Sequence, residues 1–350
     1  MHPQLSAFGW DPGWDSVRAA DPHTDCDPAR VAVQHRGAYV LYTADGDRTA
    51  AISGRLRHEA RSPAGFPAVG DWVLVRDGTI HAILPRRTAF SRKVTLGVAE
   101  EQVVAANIDV VFVVASLGAE PNLRRLERFL TVAYESGAQP VVLLSKSDLC
   151  LDVPGAVAAV EGVAPGTPVN ALSAYTGDGF EVFDRHCTPG RTAVFLGPSG
   201  VGKTTLLNAL TGTERPTAAV LEDGRGRHTT TRRELVLVAG RGLVLDTPGM
   251  RELQLWEADA GLAAMFGDIE AIESRCRFAD CGHHGEPGCA IQSALDDGSL
   301  SADRYASFRK LEREETHTAQ QKDARALSDV KRLQRAFARR VRRAGWRGQD

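Results

Sequence analysis

Ser145-Lys146-Ser147-Asp148 stands ahead of Gly197-Pro198-Ser199-Gly200-Val201-Gly202-Lys203-Thr204, and that order decides the fold. The second stretch has the spacing of a phosphate-binding loop, and the first has the form of a base-recognition motif. In an ordinary small GTPase the phosphate loop comes first. The reversed order implies a guanine-nucleotide domain whose chain has been cut and rejoined, a circular permutation. A sheet domain with adjacent termini tolerates such a cut.

The context of the phosphate loop is right for its chemistry. The apolar stretch 193–196 precedes it and the helical stretch 205–210 follows. Gly197, Pro198, Ser199, Gly200, Val201, Gly202, Lys203, Thr204 and Thr205 are the candidate phosphate contacts. The glycines let backbone N–H groups converge on phosphate oxygens, and the helix N-terminus adds a favourable dipole. Lys203 is expected on the β- and γ-phosphates, and Thr204 on the Mg²⁺ that accompanies GTP. About forty residues on, Asp246-Thr247-Pro248-Gly249 ends another apolar stretch. Asp246 is placed to hold Mg²⁺ through water, and Gly249 to offer its N–H to the γ-phosphate.

Asp148 is the candidate base reader. A carboxylate accepts hydrogen bonds from both the ring N–H and the exocyclic amine of guanine, whereas adenine leaves it unpaired. Lys146 and Ser145 flank it, with Ser145 where an Asn usually ties loops together, so a modest loss of affinity is expected. Ser173 and Ala174 are the expected backbone contact to the guanine carbonyl. Between the phosphate loop and Asp246 lies Gly226-Arg227-His228-Thr229-Thr230-Thr231, a candidate switch loop with Thr230 as the Mg²⁺ and γ-phosphate ligand. Met250 follows Gly249, where Ras-like GTPases carry a water-orienting Gln. Met cannot orient water, so His228 is the candidate catalytic group, or else a contact to RNA or solvent.

Cys276-x4-Cys281-x-His283-x5-Cys289 supplies three thiolates and an imidazole. That set suits one tetrahedral, structural Zn²⁺ per chain and leaves no open position for chemistry. His284 is a rival imidazole, and free thiols or disulfides are the alternative. Six cysteines in 350 residues, three of them scattered, do not form a disulfide framework and fit a reducing cytosol.

These motifs sit in a chain read as multidomain. Residues 1–30 are Asp-, Pro- and His-rich and are expected to be a mobile acidic tail, with Trp10 and Trp14 docking somewhere. Residues 31–95 carry short apolar stretches punctuated by Asp45-Gly46-Asp47 and Asp77-Gly78, the pattern of a five-stranded OB-like β-barrel. Arg86, Arg87, Arg92 and Lys93 follow it, either as RNA contacts or as solvated cations. Residues 96–262 alternate strand and helix. The stretches 108–115 and 140–144 are continuously apolar, as in a buried parallel sheet, so this is the circularly permuted α/β P-loop GTPase domain. Residues 263–350 are expected to be a mostly helical zinc-binding domain with a basic C-terminal tail. Residues 331–347 hold Lys331, Arg332, Arg335, Arg339, Arg340, Arg342, Arg343 and Arg347 and no acid, which points to an anionic partner although the net charge of the chain is −2. Hydrophobic content of 43% excludes a disordered chain, and neither a membrane-spanning run nor a secretory signal is evident.

In sequence the motif series resembles the ribosome small-subunit-dependent GTPase A (RsgA) family. Val69-Gly70-Asp71-Trp72-Val73 and Glu286-Pro287-Gly288-Cys289 match it as well, and the resemblance spans about residues 31–312. It implies an OB barrel, a permuted GTPase and a zinc domain. It further implies a cytoplasmic factor, expected to be a monomer, in late maturation of the 30S ribosomal subunit. That factor would contact 16S rRNA and hydrolyse GTP to GDP under stimulation by the subunit. The alternative is a nucleotide-gated RNA-binding regulator with incidental hydrolysis; a GTPase that delivers zinc is a further rival. Ser145 departs from the family pattern, and neither terminus carries a motif of it.

Overall fold

Alternation in the stretch Trp72-Val73-Leu74 dictates how the N-terminal half is built. The computed structural model describes residues 2–35, 37–60, 62–96, 98–212, 233–246 and 259–316. After helix α1 (Pro12–Ala20) come strands β1 (Asp27–Gln34), β2 (Tyr39–Thr43) and β3 (Gly46–Ile52), a short helix α2 (Gly54–Glu59), then β4 (Trp72–Arg76) and β5 (Thr79–Ile83). The strands pair in the order β1-β2-β3-β5-β4, and β4 closes back on β1 with Asp27 opposite Val75 and Arg30 opposite Trp72. Only β3 and β5 run parallel. This is the expected five-stranded barrel, and Ala29, Val31, Leu41, Ala50, Val73 and Ile80 fill its interior.

The period of two that turns Val73 inward turns Trp72 and Leu74 outward. Leu5, Trp10 and Trp14 cover them, all three buried. The expectation of a mobile tail over residues 1–30 is therefore corrected. Pro3–Phe8 forms a 3-10 turn. Asp11 caps α1 by accepting from the Trp14 N–H at 3.0 Å, with Pro12 at the first helical position. Trp10 meets Trp72 edge-on at 4.7 Å, and the Arg87 guanidinium lies 4.2 Å over the Trp14 ring while pairing with Asp11. Burying each of these aromatic side chains contributes about 1.5–3 kcal/mol, which outweighs the polarity of the flanking residues. The barrel's first strand likewise starts at Asp27 rather than at residue 31.

A hairpin, β6 (Ala89–Leu96) and β7 (Val98–Ala106), follows the barrel, so the boundary expected between residues 95 and 96 falls inside one structural unit. The chain then enters the nucleotide domain through β8 (Val110–Ser116), α3 (Leu123–Glu135), β9 (Gln139–Ser145), α4 (Val153–Glu161), β10 (Val169–Ala171), α5 (Glu181–His186), β11 (Thr192–Leu196), α6 (Lys203–Thr211), β12 (Glu234–Leu237) and β13 (Leu243–Asp246). The strand order is β10-β9-β8-β11-β13-β12, parallel except for β12. The strand preceding the phosphate loop, β11, lies at the centre, between β8 from the earlier half of the chain and β13 from the later half. That placement is the permutation in structural terms. It also explains the unbroken apolar run of β8. Val111 and Val113 face one core with α3, whereas Val110, Phe112 and Val114 face the other with α6.

The C-terminal part of the described chain is α7 (Asp259–Glu273), bent at Phe266, then α8 (Ala290–Asp296) and a helix at residues 302–316, α9. It docks on α3 through Arg304. That buried guanidinium grips Asp268 of α7 with bonds of 3.0 and 2.9 Å and reaches Glu127 of α3 at 3.2 Å. The basic stretch 331–347 lies outside the described residues.

Candidate nucleotide site and metal centre

Three glycines shape the loop between β11 and α6. Gly197, Gly200 and Gly202 take φ of 145°, 81° and 93°, a region that side-chain-bearing residues avoid. At Gly197 a Cβ would sit 2.4 Å from the Val114 carbonyl oxygen, so the loop packs directly onto β8. The turn places Lys203 and Thr204 at the start of α6. The Lys203 ammonium donates to the carbonyls of Gly197 at 2.7 Å and Pro198 at 2.6 Å, across the hollow where phosphates would lie. Ser199, Gly200, Thr204 and Thr205 are exposed on this face, while Val201 anchors the loop in the core.

The recognition motif sits beside that loop, at the end of β9. Ser145 is buried, and its hydroxyl bridges Val201 O at 2.6 Å and Ala115 O at 3.1 Å. It thereby ties the base loop to the phosphate loop, the task for which an Asn was missed. Lys146 adopts a left-handed φ of 60° and stretches back to Gly200 O at 3.0 Å. Asp148 accepts a 2.5 Å hydrogen bond from the Ser173 hydroxyl. Ser173 in turn accepts from the backbone N–H of Tyr175 at 3.1 Å and Thr176 at 3.2 Å. Residues from two distant parts of the chain thus converge, with Ala174 between them.

The second centre joins α7 to α8. The ligand atoms of Cys276, Cys281, His283 and Cys289 all lie within 4.8 Å of one another. His283 Nδ1 is 3.7 Å from the Cys276 sulfur and 3.5 Å from that of Cys289. A tetrahedron with Zn–S and Zn–N bonds of ordinary length has edges of about 3.6 Å between S and N, so the donor set fits such an ion. His283, not the rival His284, belongs to the cluster. His283 takes φ of 60°, and its Nε2 lies 3.4 Å from Glu273 Oε1, the kind of outer contact that orients a ligating imidazole. Glu286 accepts from Gly282 N at 3.1 Å and His284 N at 2.7 Å, closing the loop. Glu273 carried no signal in the sequence, since it lies on a helix upstream of the motif.

A family model described as RsgA GTPase matches residues 83–256. The "Small ribosomal subunit biogenesis GTPase RsgA" of Opitutus terrae is 46% identical over 345 residues, covering 93% of this chain and 94% of that protein. The chain belongs to the RsgA GTPase family. The Streptomyces coelicolor protein of the same name is 41% identical, with 95% of this chain and 92% of that one covered. Among solved structures, YjeQ from Thermotoga maritima superimposes with a TM-score of 0.60 at 25% identity, covering 83% of this chain and 98% of that one. YloQ, described as a circularly permuted GTPase, gives 0.59 at 26% identity, with 85% and 97% covered.

As an RsgA GTPase the chain is a GTP hydrolase with a role in small ribosomal subunit biogenesis. His228, Thr230, Gly249 and Met250 lie outside the described residues, so the switch assignments rest on sequence. The backbone of Asp246 ends β13 opposite Glu234, but its side chain is likewise outside the description. Arg86 answers to neither reading given above, whereas Arg87 is an exposed cation paired with Asp11. Arg86 clamps the buried Asp71 with two 2.8 Å bonds, and Arg87 holds Asp11. This also explains the Val69–Val73 motif: Gly70 has φ of 91°, and a Cβ there would meet Ala106 O at 2.1 Å.

Proposed function

We propose that this RsgA GTPase acts in late maturation of the 30S subunit, that the subunit stimulates its hydrolysis, and that hydrolysis favours release. The near-full-length likeness to a small ribosomal subunit biogenesis GTPase carries the reading. The tie from Ser145 to the phosphate loop supports it, because base and phosphates are then read by one rigid unit. In the complex, Asp148 accepts from the guanine edge and Ala174 offers its backbone. Lys203 exchanges its two loop carbonyls for phosphate oxygens, and the loop N–H groups hold the remainder. Thr204 holds Mg²⁺, with Asp246 through water and Thr230 from the switch. The ion neutralises charge on the phosphates when bound. His228 positions the attacking water in place of the missing Gln.

Cys276, Cys281, His283 and Cys289 hold one structural zinc per chain. Contacts to 16S rRNA come from the barrel, the zinc-bearing part and the basic stretch 331–347, whose salt dependence would follow the number of phosphates neutralised. The chain works as a cytoplasmic monomer, and among the described residues no helix is long and apolar enough to cross a membrane. The second reading, a nucleotide-gated RNA-binding regulator, is favoured by Met250 alone. GTP turnover with and without purified 30S subunits, with ATP in parallel, separates the two. Strong stimulation with GTP only is expected, and it should collapse in His228→Ala while GDP affinity is kept. Turnover indifferent to the subunit would sink the ribosomal assignment, and an unchanged rate in the variant would dismiss His228.

A further inference from the structure

Five large apolar side chains stand exposed among the described residues; Leu149 and Leu151 follow Asp148 in its own loop, and Tyr175 lies two residues after Ser173, whose hydroxyl bonds Asp148. Single exposed apolar residues need no explanation, but large ones on the two loops that meet at the candidate base reader call for one. Tyr175 is the large aromatic of the group and is 92% exposed.

The backbone that carries the ring is well ordered by hydrogen bonds. The Ser173 hydroxyl accepts from Tyr175 N at 3.1 Å and donates to Asp148 at 2.5 Å, so the Tyr175 backbone is two hydrogen bonds from the carboxylate that reads the base. Ser173 N donates to Asp178 O at 3.0 Å and Gly177 N to Ser173 O at 2.9 Å, closing the loop on itself. At its far end Gly179 has φ of 76°, and a Cβ there would lie 2.2 Å from Ala171 O. The Tyr175 backbone is therefore held in advance beside the carboxylate assigned to the base.

We propose that Tyr175 stacks its ring on the face of the bound guanine. Asp148 then reads the edge of the base, which discriminates among purines, while Tyr175 reads the face, which every purine shares. The inference rests on the GTP-binding reading of the site and adds a base-contacting residue to it. A base stacked on an aromatic side chain loses about 1–3 kcal/mol on alanine substitution.

The test is equilibrium binding of GDP and IDP to the full chain and to Tyr175→Ala and Tyr175→Phe. IDP lacks the exocyclic amine that Asp148 accepts from, so the GDP/IDP ratio reports the edge and the common factor reports the face. Tyr175→Ala should weaken both nucleotides by the same factor, roughly 5- to 150-fold. Tyr175→Phe should stay close to the parent, and the thermal midpoints of both should hold because the ring is exposed. Unchanged GDP affinity in Tyr175→Ala overturns the proposal, as does a Phe variant as weak as the Ala one. Loss confined to GDP also overturns it, because Tyr175 would then act through the Ser173–Asp148 bond. A parent chain that binds neither nucleotide would bring down the nucleotide reading itself.

Discussion

Ser145 shows how a single hydroxyl can replace an amide. An Asn at this position has two donors and an acceptor with which to tie loops. Ser145 has one donor, and it lies within reach of two carbonyls, Val201 O and Ala115 O. Because Ser145 is 3% exposed and its bond to Val201 O is buried, that carbonyl has no water to fall back on. Leaving a buried acceptor unsatisfied costs about 1–3 kcal/mol. Ser145→Ala should therefore lower the thermal midpoint and weaken GDP by several-fold, through looser registry of the base and phosphate loops. Ser145→Asn should bind no worse than the parent. Calorimetric titration with GDP alongside a melting curve checks this, and an alanine variant with both values unchanged would show that the hydroxyl bridge does not set the register.

At the scale of elements, the proposed zinc would hold the segment between α7 and α8 through its four ligands. Gly285 and Gly288 have φ of 102° and 81°, and the segment buries few side chains of its own. Cys289 caps α8 through its sulfur, which accepts from Gln292 N at 3.4 Å. A helix of seven residues does not persist alone. Structural zinc supplies about 10–16 kcal/mol to folding in comparable small sites. Stripping one zinc per chain with a chelator should abolish hydrogen-exchange protection across residues 276–296 and leave β8–β13 protected. Metal analysis finding no zinc, or protection that survives chelation, would refute the assignment. This loop was legible in the sequence because ligand chemistry demands particular residue types at short spacing. The phosphate loop and the run of β8 were legible for the same kind of reason, since each function is served by neighbours in the chain. The N-terminal segment was not. The burial of Leu5, Trp10 and Trp14 depends on Trp72 and Leu74 facing outward from a closed barrel, and nothing local encodes that. Arg86 was legible only as a cation, and Arg304 not at all, because the carboxylates they hold, Asp71 for Arg86 and Glu127 and Asp268 for Arg304, are brought to them by the fold.

Taken as a whole molecule, the barrel and the nucleotide domain are one continuous sheet across a narrow seam. Among the described residues β1 meets β12 at a single bridged pair, Val33 with Glu234. Tyr42 of β2 strengthens the seam by donating to Leu235 O at 2.6 Å, and Phe8 stacks on its ring at 4.5 Å. Burial pushes the Tyr42 hydroxyl up to about 12, so it remains a donor at any working pH. Behind it Arg30 donates to carbonyls of three segments, at Phe8, Gly70 and Asn107, and burial lowers its guanidinium to about 10. The other edge of β12 is paired with β13, up to Glu234 opposite Asp246, the residue assigned to the Mg²⁺ shell. Whatever fixes the end of β13 is thus two strands away from the barrel. A ligand at a hundred times its Kd stabilises the state that binds it by about 2.7 kcal/mol. In the parent chain the amides of β1–β5 should share in that gain when GDP is added, although none of them touches nucleotide. Tyr42→Phe removes the donor at Leu235 O while keeping the ring and its stack on Phe8. GDP should then still protect β8, β11 and β13, and its effect on the barrel amides should shrink. Hydrogen exchange on both chains, with and without GDP, decides the matter. Barrel protection that follows GDP equally in Tyr42→Phe would mean that the seam transmits through the backbone bridge and not through this hydroxyl.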